Sequence, residues 1–356
     1  MNILLFDAAK YWSGGAERVY LCCKGFKEKG HNVVLVCLPT SRLNLLLKDR
    51  IKVYNIHPIF DLDFFAGVKI FYLLLKHKID VIDIHSPKFY WLGVFIGKLL
   101  NKKVFITRNV EYRKKGLKRY INKLLYYFCN GVITVSEKIK NNLIVDFGIK
   151  SNKIKVIYDA IEAKSHQKDI RVIYEIPQDA VVLSIIGRIE ENKSQHIAVE
   201  VAEKLFKKGY NVYLFVVGQI ESKSYYHSLI KLVNKIRFKD RVIFTGFVSN
   251  VEDYIYSSDI ILCCSKHEGI PRTVVESVVL GKPVVSTTAA KIEEIFDEHL
   301  LKLVKFVSVP NVDNFVFFVE EVIKNIESYK KLQLKFDIKK FSYERMVSEY
   351  LNFYKL

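Results

Sequence analysis

The sequence predicts an α/β protein made of two doubly wound domains in tandem. Its 356 residues suit two domains, at roughly 100–200 residues each. Short β-branched runs alternate with longer runs at helical spacing along the whole chain. The strand-like runs show little polar alternation, as expected of parallel strands covered on both faces. Hydrophobic residues make up 50% of the chain and charged residues 26%, with only 16 Gly and 7 Pro. That composition excludes a disordered, collagen-like or loop-rich chain.

Taken in order, the first-half strands are Ile3–Phe6, Val33–Cys37, Ile51–Ile56, Val81–Ile84, Val104–Thr107, Val132–Val135 and Ile154–Ile157. Amphipathic stretches such as Glu17–Lys29 and Tyr112–Phe128 lie between them. The second half repeats the pattern with Val181–Ile186, Val212–Val217, Val242–Phe244, Ile260–Cys263 and Pro283–Ser286, and with helices at Ser194–Lys208 and Thr273–Leu280. Such alternation implies right-handed βαβ units and a parallel sheet in each half. The expected domains are residues 1–165 and 166–335, with Ala163–Arg171 as the linker. The aromatic tail 336–356 reads as one or two closing helices that pack back on the first domain. Doubly wound sheets bind ligands beyond the carboxyl ends of their strands, so a central cleft faced by both domains is the expected active site.

The charge is one-sided. Residues 1–165 carry 29 Lys and Arg against 13 Asp and Glu, a net of +16, whereas residues 166–356 carry a net of +2. A field of this kind attracts an anionic partner. The six cysteines (Cys22, Cys23, Cys37, Cys129, Cys263 and Cys264) have neither zinc-binding spacing nor the pattern of a disulfide framework. They read as reduced, buried thiols of a cytosolic protein. The start of the chain lacks a secretory apolar core. The longest apolar stretch, Phe89–Leu100, contains Lys98 and falls short of the roughly 20 residues of a spanning helix. The expectation is a cytoplasmic protein, peripherally held at the inner face of the cell membrane.

Three clusters carry the chemistry. Ser13-Gly14-Gly15-Ala16-Glu17-Arg18 follows the first strand, where two glycines allow close backbone approach to a ligand and a helix N-terminus follows. Neither a dinucleotide-binding fingerprint nor a P-loop is present. Gly187-Arg188-Ile189-Glu190-Glu191-Asn192-Lys193 follows the first strand of the second half. Its Arg188 can bridge phosphate oxygens bidentately, and Lys193 adds a compact second charge. Glu268-Gly269-Ile270-Pro271-Arg272-Thr273-Val274-Val275-Glu276 places one carboxylate in a loop and a second about one and a half turns into a helix opened by Pro271. Carboxylates are natural acceptors for paired sugar hydroxyls. Alone, the first cluster also fits a turn glycine pair, the second a solvated charged loop and the third a helix surface, but in the third the Gly269-Ile270-Pro271-Arg272 insert and the following Gly281-Lys282-Pro283-Val284-Val285 make coincidence a poor explanation.

The run Glu268–Val285 resembles the E-x7-E signature of retaining glycosyltransferases with the GT-B fold, most similar to glycosyltransferase family 4. Gly14-Gly15-Ala16-Glu17-Arg18, Val135-Ser136 and Gly187-Arg188 with Lys193 stand in the family's order, so the resemblance spans residues 1 to about 290. It implies two Rossmann-like domains, an N-terminal acceptor domain and a C-terminal nucleotide-sugar domain. It assigns the ribose hydroxyls to Glu276 and the transferred sugar to Glu268, Gly269 and Ile270, beside Pro271. Arg188 and Lys193 take the departing diphosphate, where other transferases use a metal ion, so neither a metal nor another cofactor is expected. Gly15 and Gly187 allow close approach to the donor. His85, at the end of the strand Val81–Ile84, matches a family histidine near donor sugar and acceptor. Two departures stand out. Thr107-Arg108-Asn109 replaces a histidine of many relatives, and Asp159-Ala160 replaces Asn-Gly, leaving Asp159 a turn or capping role.

The implied reaction is mainly electrostatic. The sugar–diphosphate bond breaks with oxocarbenium-like charge, and positioned cations stabilise the leaving group. The family's retention of configuration implies attack from the same face, with the proton going to a phosphate oxygen or to His85. Basic residues crowd Lys102–Lys123, including Arg113, Lys114, Lys115, Lys118 and Arg119, interleaved with Leu117, Tyr120, Ile121 and Leu124. A helix of this type lies on anionic membrane surfaces. The expected partners are therefore a nucleotide-sugar donor, a glycan or lipid-linked glycan acceptor and an anionic membrane, in cell-surface polysaccharide synthesis. A nucleotide-sugar epimerase is the nearest alternative on the same fold. A basic nucleic-acid-binding protein is the more distant one, and nucleic acid is not expected because no recognition motif is present.

Overall fold

A computed structural model of the chain describes all residues except 110–116, 162–167, 269, 289–291, 309–310, 331–340 and 356, and leaves the side chains of 117–121 and 330 undescribed. The chain forms two units. One combines Met1–Ile161 with Lys339–Leu356, and the other is Glu162–Ile338.

The first unit holds β1 (Asn2–Phe6), β2 (Asn32–Cys37), β3 (Lys52–Asn55), β4 (Val81–Ile84), β5 (Lys103–Arg108), β6 (Gly131–Thr134) and β7 (Ile154–Val156). They form one parallel sheet in the order β3-β2-β1-β4-β5-β6-β7. In β1, Leu4 and Phe6 enter one apolar cluster, whereas Ile3 and Leu5 enter another. Successive side chains of a strand point to opposite faces, so both faces of the sheet are covered, which is why its strands read as continuous apolar runs. Each Leu or Ile so buried is worth about 1.5–3 kcal/mol over leaving it in water.

The second unit holds β8 (Val181–Ile186), β9 (Val212–Val217), β10 (Val242–Gly246), β11 (Ile260–Cys263), β12 (Val284–Thr287) and β13 (Val304–Val307). The order is β10-β9-β8-β11-β12-β13, again parallel. Strand order reverses between β1 and β4 in the first unit and between β8 and β11 in the second, the points where such sheets open for ligands.

Two features differ from the sequence reading. Strand β13 is absent from it because Val304–Val307 continues the apolar run Leu300–Leu303 with no Gly or Pro between them. The linker Ala163–Arg171 is too long. Residues 162–167 lie outside the described residues, but Asp169 caps the short helix Ile170–Ile173, and Arg171 donates to the Ser257 and Ala180 carbonyls and to Asp259. Asp169 answers the Arg171 backbone N–H, and Arg171 answers two carbonyls and a carboxylate, rather than solvent. The helix read over Tyr112–Phe128 is described over Leu117–Phe128, and residues 112–116 lie outside the described residues.

In the tail, helix Tyr343–Phe353 is capped by Ser342. Its Met346, Val347 and Tyr350 join Phe26 and Phe105 in the core of the first unit. Gly25 of helix Gly14–Glu28 permits this, since a Cβ there would collide with Val347. All six cysteines are buried and unbridged.

Candidate active site

The loops after β8 and β11 leave the second sheet from neighbouring strands at its switch point. The first loop is built as an extension of the ladder. Gly187 N–H donates to the Val217 carbonyl, Ile189 N–H to Gln219, and Glu221 N–H back to Ile189. This sets residues 187–189 beside 217–221 and brings Arg188 onto Glu221, to which its Nη1 donates. Nη2 of Arg188 lies 3.2 Å from Glu190. Arg188, the expected phosphate bridge, is thus held between two carboxylates.

Two glycines permit this approach. Gly218 has φ of 145°, and a Cβ there would collide with the Gly187 carbonyl oxygen. Gly187 has φ of 155°, and the Lys193 stem passes 3.3 Å from its missing Cβ. Side chains rarely adopt either conformation. Lys193 therefore lies over bare backbone, with its ammonium 2.5 Å from Glu268 Oε1. Burial opposes the Lys193 charge, but Glu268 beside it, with Cys263 adding to its effect, holds the ammonium pKa above its usual value. Burial pushes the Glu190 carboxyl up, partly offset by Arg188, with Glu221, Lys193 and Glu268 also within its field. Arg188, Lys193, Glu190, Glu221 and Glu268 thus form one electrostatic cluster.

Asn192 joins the two loops. Its Nδ2 donates to the His267 carbonyl at 2.9 Å, its Oδ1 accepts from His267 N–H at 3.1 Å, and its own carbonyl accepts from Lys266 N–H. Gln195 Nε2 donates to the Arg188 carbonyl at 2.8 Å, fixing the first loop from the following helix. Helix Arg272–Val279 starts one residue later than the Pro271 reading implied, with Pro271 at its N-cap. Thr273 ties it to the end of β8, and Glu276 accepts from Arg272 at 3.2 Å. Ile270 leads into this helix, and Gly269 lies outside the described residues.

The first unit has a switch point of its own. Asp7 follows β1, and His85 follows β4 with its N–H on the Phe6 carbonyl. His85 is buried, its Nε2 3.1 Å from Asp83 Oδ2, while its Nδ1 is enclosed with no partner among the described residues. Asp83 also accepts from Thr107 at 2.8 Å and from Tyr354 at 2.5 Å. A carboxylate taking three donors fixes the His85 tautomer with its proton on Nε2 and leaves Nδ1 as an acceptor. Gly15 lies in the first turn of helix Gly14–Glu28, capped by Ser13, and Asn109 Nδ2 comes within 3.0 Å of where its Cβ would stand. Of the basic stretch, Arg113, Lys114 and Lys115 lie outside the described residues, as do the side chains of Lys118 and Arg119.

Sequence reading assigned no role to Asn192, Gly218, Glu221, Asp83 or Tyr354. A glycine straight after a strand was the available signal for Gly218. Asp83 lies two residues from His85, and the others acquire their roles only through partners distant in the chain.

Two family models match the chain: "Glycosyltransferase Family 4" over residues 12–165 and "Glycosyl transferases group 1" over residues 166–335. An uncharacterised 41.2 kDa protein in the cps region of Klebsiella pneumoniae is 25% identical over 300 residues, covering 79% of this chain and 80% of that one. The capsular polysaccharide biosynthesis glycosyltransferase CapM of Staphylococcus aureus is 24% identical over 162 residues, 41% of this chain and 43% of CapM. Among solved structures, a glycosyltransferase from Rickettsia africae superposes with a TM-score of 0.82 at 21% identity, over 99% of this chain and 97% of that one. Anabaena HepE in complex with UDP and glucose superposes with a TM-score of 0.85 at 17% identity, over 99% and 98%. These structures share the two-domain Rossmann-like α/β fold of GT-B glycosyltransferases with this chain.

Proposed function

This chain is a glycosyltransferase resembling family 4, its two halves matching glycosyltransferase models across residues 12–335, and we propose that it moves a sugar from a nucleotide-sugar to a glycan acceptor with retention of configuration. The product is a cell-surface polysaccharide, as the name of CapM states for that relative. The observation that carries the reading is the Lys193–Glu268 pair beside Arg188 at the β8/β11 switch point. Two cations within reach of three carboxylates form a site ready for ion exchange. A diphosphate, with more charge on more oxygens than one carboxylate, takes Arg188 and Lys193 from their acidic partners. The released Glu268 then faces sugar hydroxyls, and Glu276 takes the ribose diol. As the glycosidic bond breaks, the same cations stabilise the charge growing on the leaving diphosphate, without a metal ion. His85 Nδ1 is the first unit's candidate for the acceptor proton, and because it is enclosed, local opening around His85 must precede that transfer.

The acceptor is proposed to be lipid-linked and presented at the inner leaflet, where the +16 half of the chain meets anionic lipid. The donor chemistry is tested by thermal shift of the purified protein against a panel of nucleotide-sugars. One or more should raise the midpoint, and Lys193→Ala and Glu276→Ala should each abolish or sharply weaken that rise. Variants that respond like the parent would falsify the site.

A further inference from the structure

We propose that the outer face of helix Phe64–Lys76 docks this chain on an anionic lipid bilayer, an inference that rests on the membrane-held acceptor above. The helix is apolar on both sides. Ala66, Ile70, Leu73 and Leu74 are buried in the first unit. Phe64, Phe65, Val68, Phe71, Tyr72 and Leu75 point outward, with Phe64 72% and Phe65 78% exposed. A surface helix ordinarily turns a polar face to water, so this face lacks its partner.

The patch extends beyond the helix and is held in shape. Ile59, Phe60 and Leu62 stand exposed just before it. Asp63 fastens that turn to the helix, accepting from Ile59 N–H on one oxygen and from Ala66 N–H on the other, both at 3.0 Å. Gly67 backs onto Leu92 and Ile96 of helix Tyr90–Leu99, whose Phe95 and Leu99 are exposed in turn. Presenting the patch therefore requires no reordering of the chain.

Its charges fit lipid phosphates. Lys69 and Lys76 lie on the outer face, and no acidic residue occurs from Phe64 to Ile79. Asp61 stands at the margin. Lys76 Nζ lies 5.4 Å from the centre of the Tyr72 ring, a pairing of the kind found where apolar side chains meet headgroups. A second copy fits less well. A two-fold contact sets the patch against itself, and its lysines then meet lysines with no acid between them. A bilayer takes the phenylalanines into its acyl boundary and gives phosphates to the lysines.

The test is flotation of the full chain with phosphatidylglycerol and with phosphatidylcholine vesicles. The parent should float with the first and much less with the second. Phe64→Ser, Phe65→Ser and Tyr72→Ser combined should lower vesicle partitioning about tenfold or more, with an unchanged thermal midpoint. Phe65→Trp should show blue-shifted emission and quenching by brominated phosphatidylglycerol. If the parent floats and the triple variant floats equally, this surface is wrong and the membrane-held acceptor survives. If the parent binds neither vesicle, both fail while the donor-binding test still stands. Emission of Phe65→Trp unmoved by vesicles, or a dimer that the triple variant dissolves, also overturns the proposal.

Discussion

Arg18 and Asp159, 141 positions apart in the chain, meet in a 2.5 Å ion pair inside the N-terminal unit. Arg18 is fully buried, and its remaining donors go to Tyr350 at 2.8 Å and the Ile157 carbonyl at 2.7 Å. Burial works against the guanidinium charge, and Asp159 more than restores it. Asp159 thus replaces the expected Asn-Gly turn with a counter-ion, and through Tyr350 the same arginine anchors the C-terminal helix. Removing one partner of a buried pair strands a charge, which costs about 3–5 kcal/mol. Asp159→Ala should lose stability on that scale in urea denaturation, and adding Arg18→Met should restore a large part of it. A loss under about 1 kcal/mol for Asp159→Ala would show that the pair is already solvated.

Glu221 competes with any anion for Arg188. Both side chains are about one-third exposed, at 34% and 30%, so the pair is screened and readily exchanged. Glu221→Gln should therefore tighten donor binding, read by calorimetry, whereas Lys193→Ala should lower kcat by about 10²–10³. Weaker donor binding in Glu221→Gln would mean that the carboxylate orients Arg188 instead of competing for it.

Gly218 is tested by the smallest possible change. Gly218→Ala forces a Cβ onto the Gly187 carbonyl in a backbone conformation that alanine avoids. The expected result is loss of the donor-dependent thermal shift together with a lower midpoint. Unchanged donor binding would separate the β8–β9 loop contact from the site.

The strands were readable because burial on both faces leaves continuous apolar runs, as in Ile3–Phe6 and Val181–Ile186. β13 was not, because Lys305 and its apolar neighbours continue the spacing of the preceding helix. At the candidate site, Arg188, Lys193 and Glu268 could be picked out from charge and position. Their pairing could not, since it depends on Asn192 bridging 75 positions to His267 and on Gly218 clearing space for Gly187. Arg18 shows the limit most plainly. It lies in a glycine-rich cluster that reads as a ligand loop, yet its side chain points into the protein.

Tyr354 reaches Asp83 from the C-terminal helix and shares Oδ2 with His85. Tyr354→Phe removes one donor from a buried carboxylate that also orients the imidazole. Tyr354 acts here as a positioning residue, so the change should lower kcat with acceptor while leaving donor affinity in place. Asp83→Asn should have the larger effect, because an amide also donates and can reverse the His85 tautomer. Equal loss of donor affinity in both variants would point to general unfolding of the helix instead.

Asp7 supplies a pH test. Burial raises its pKa above the 3.8 of a free side chain, although the Ala9 N–H and His85 pull the other way. A raised folded-state pKa means that the native protein holds this proton more firmly than the unfolded chain. Stability then falls as pH rises from 3.8 through the folded value, and the ionised group remains a burden above that window. Asp7→Asn carries no charge and keeps an acceptor for Ala9. It should be more stable than the parent at pH 7, with the gap closing as pH falls toward 4. Urea midpoints at pH 7 and pH 5 measure this. A parent as stable as Asp7→Asn at pH 7 would show that the groups around Asp7, the Ala9 N–H among them, offset the burial of its charge fully.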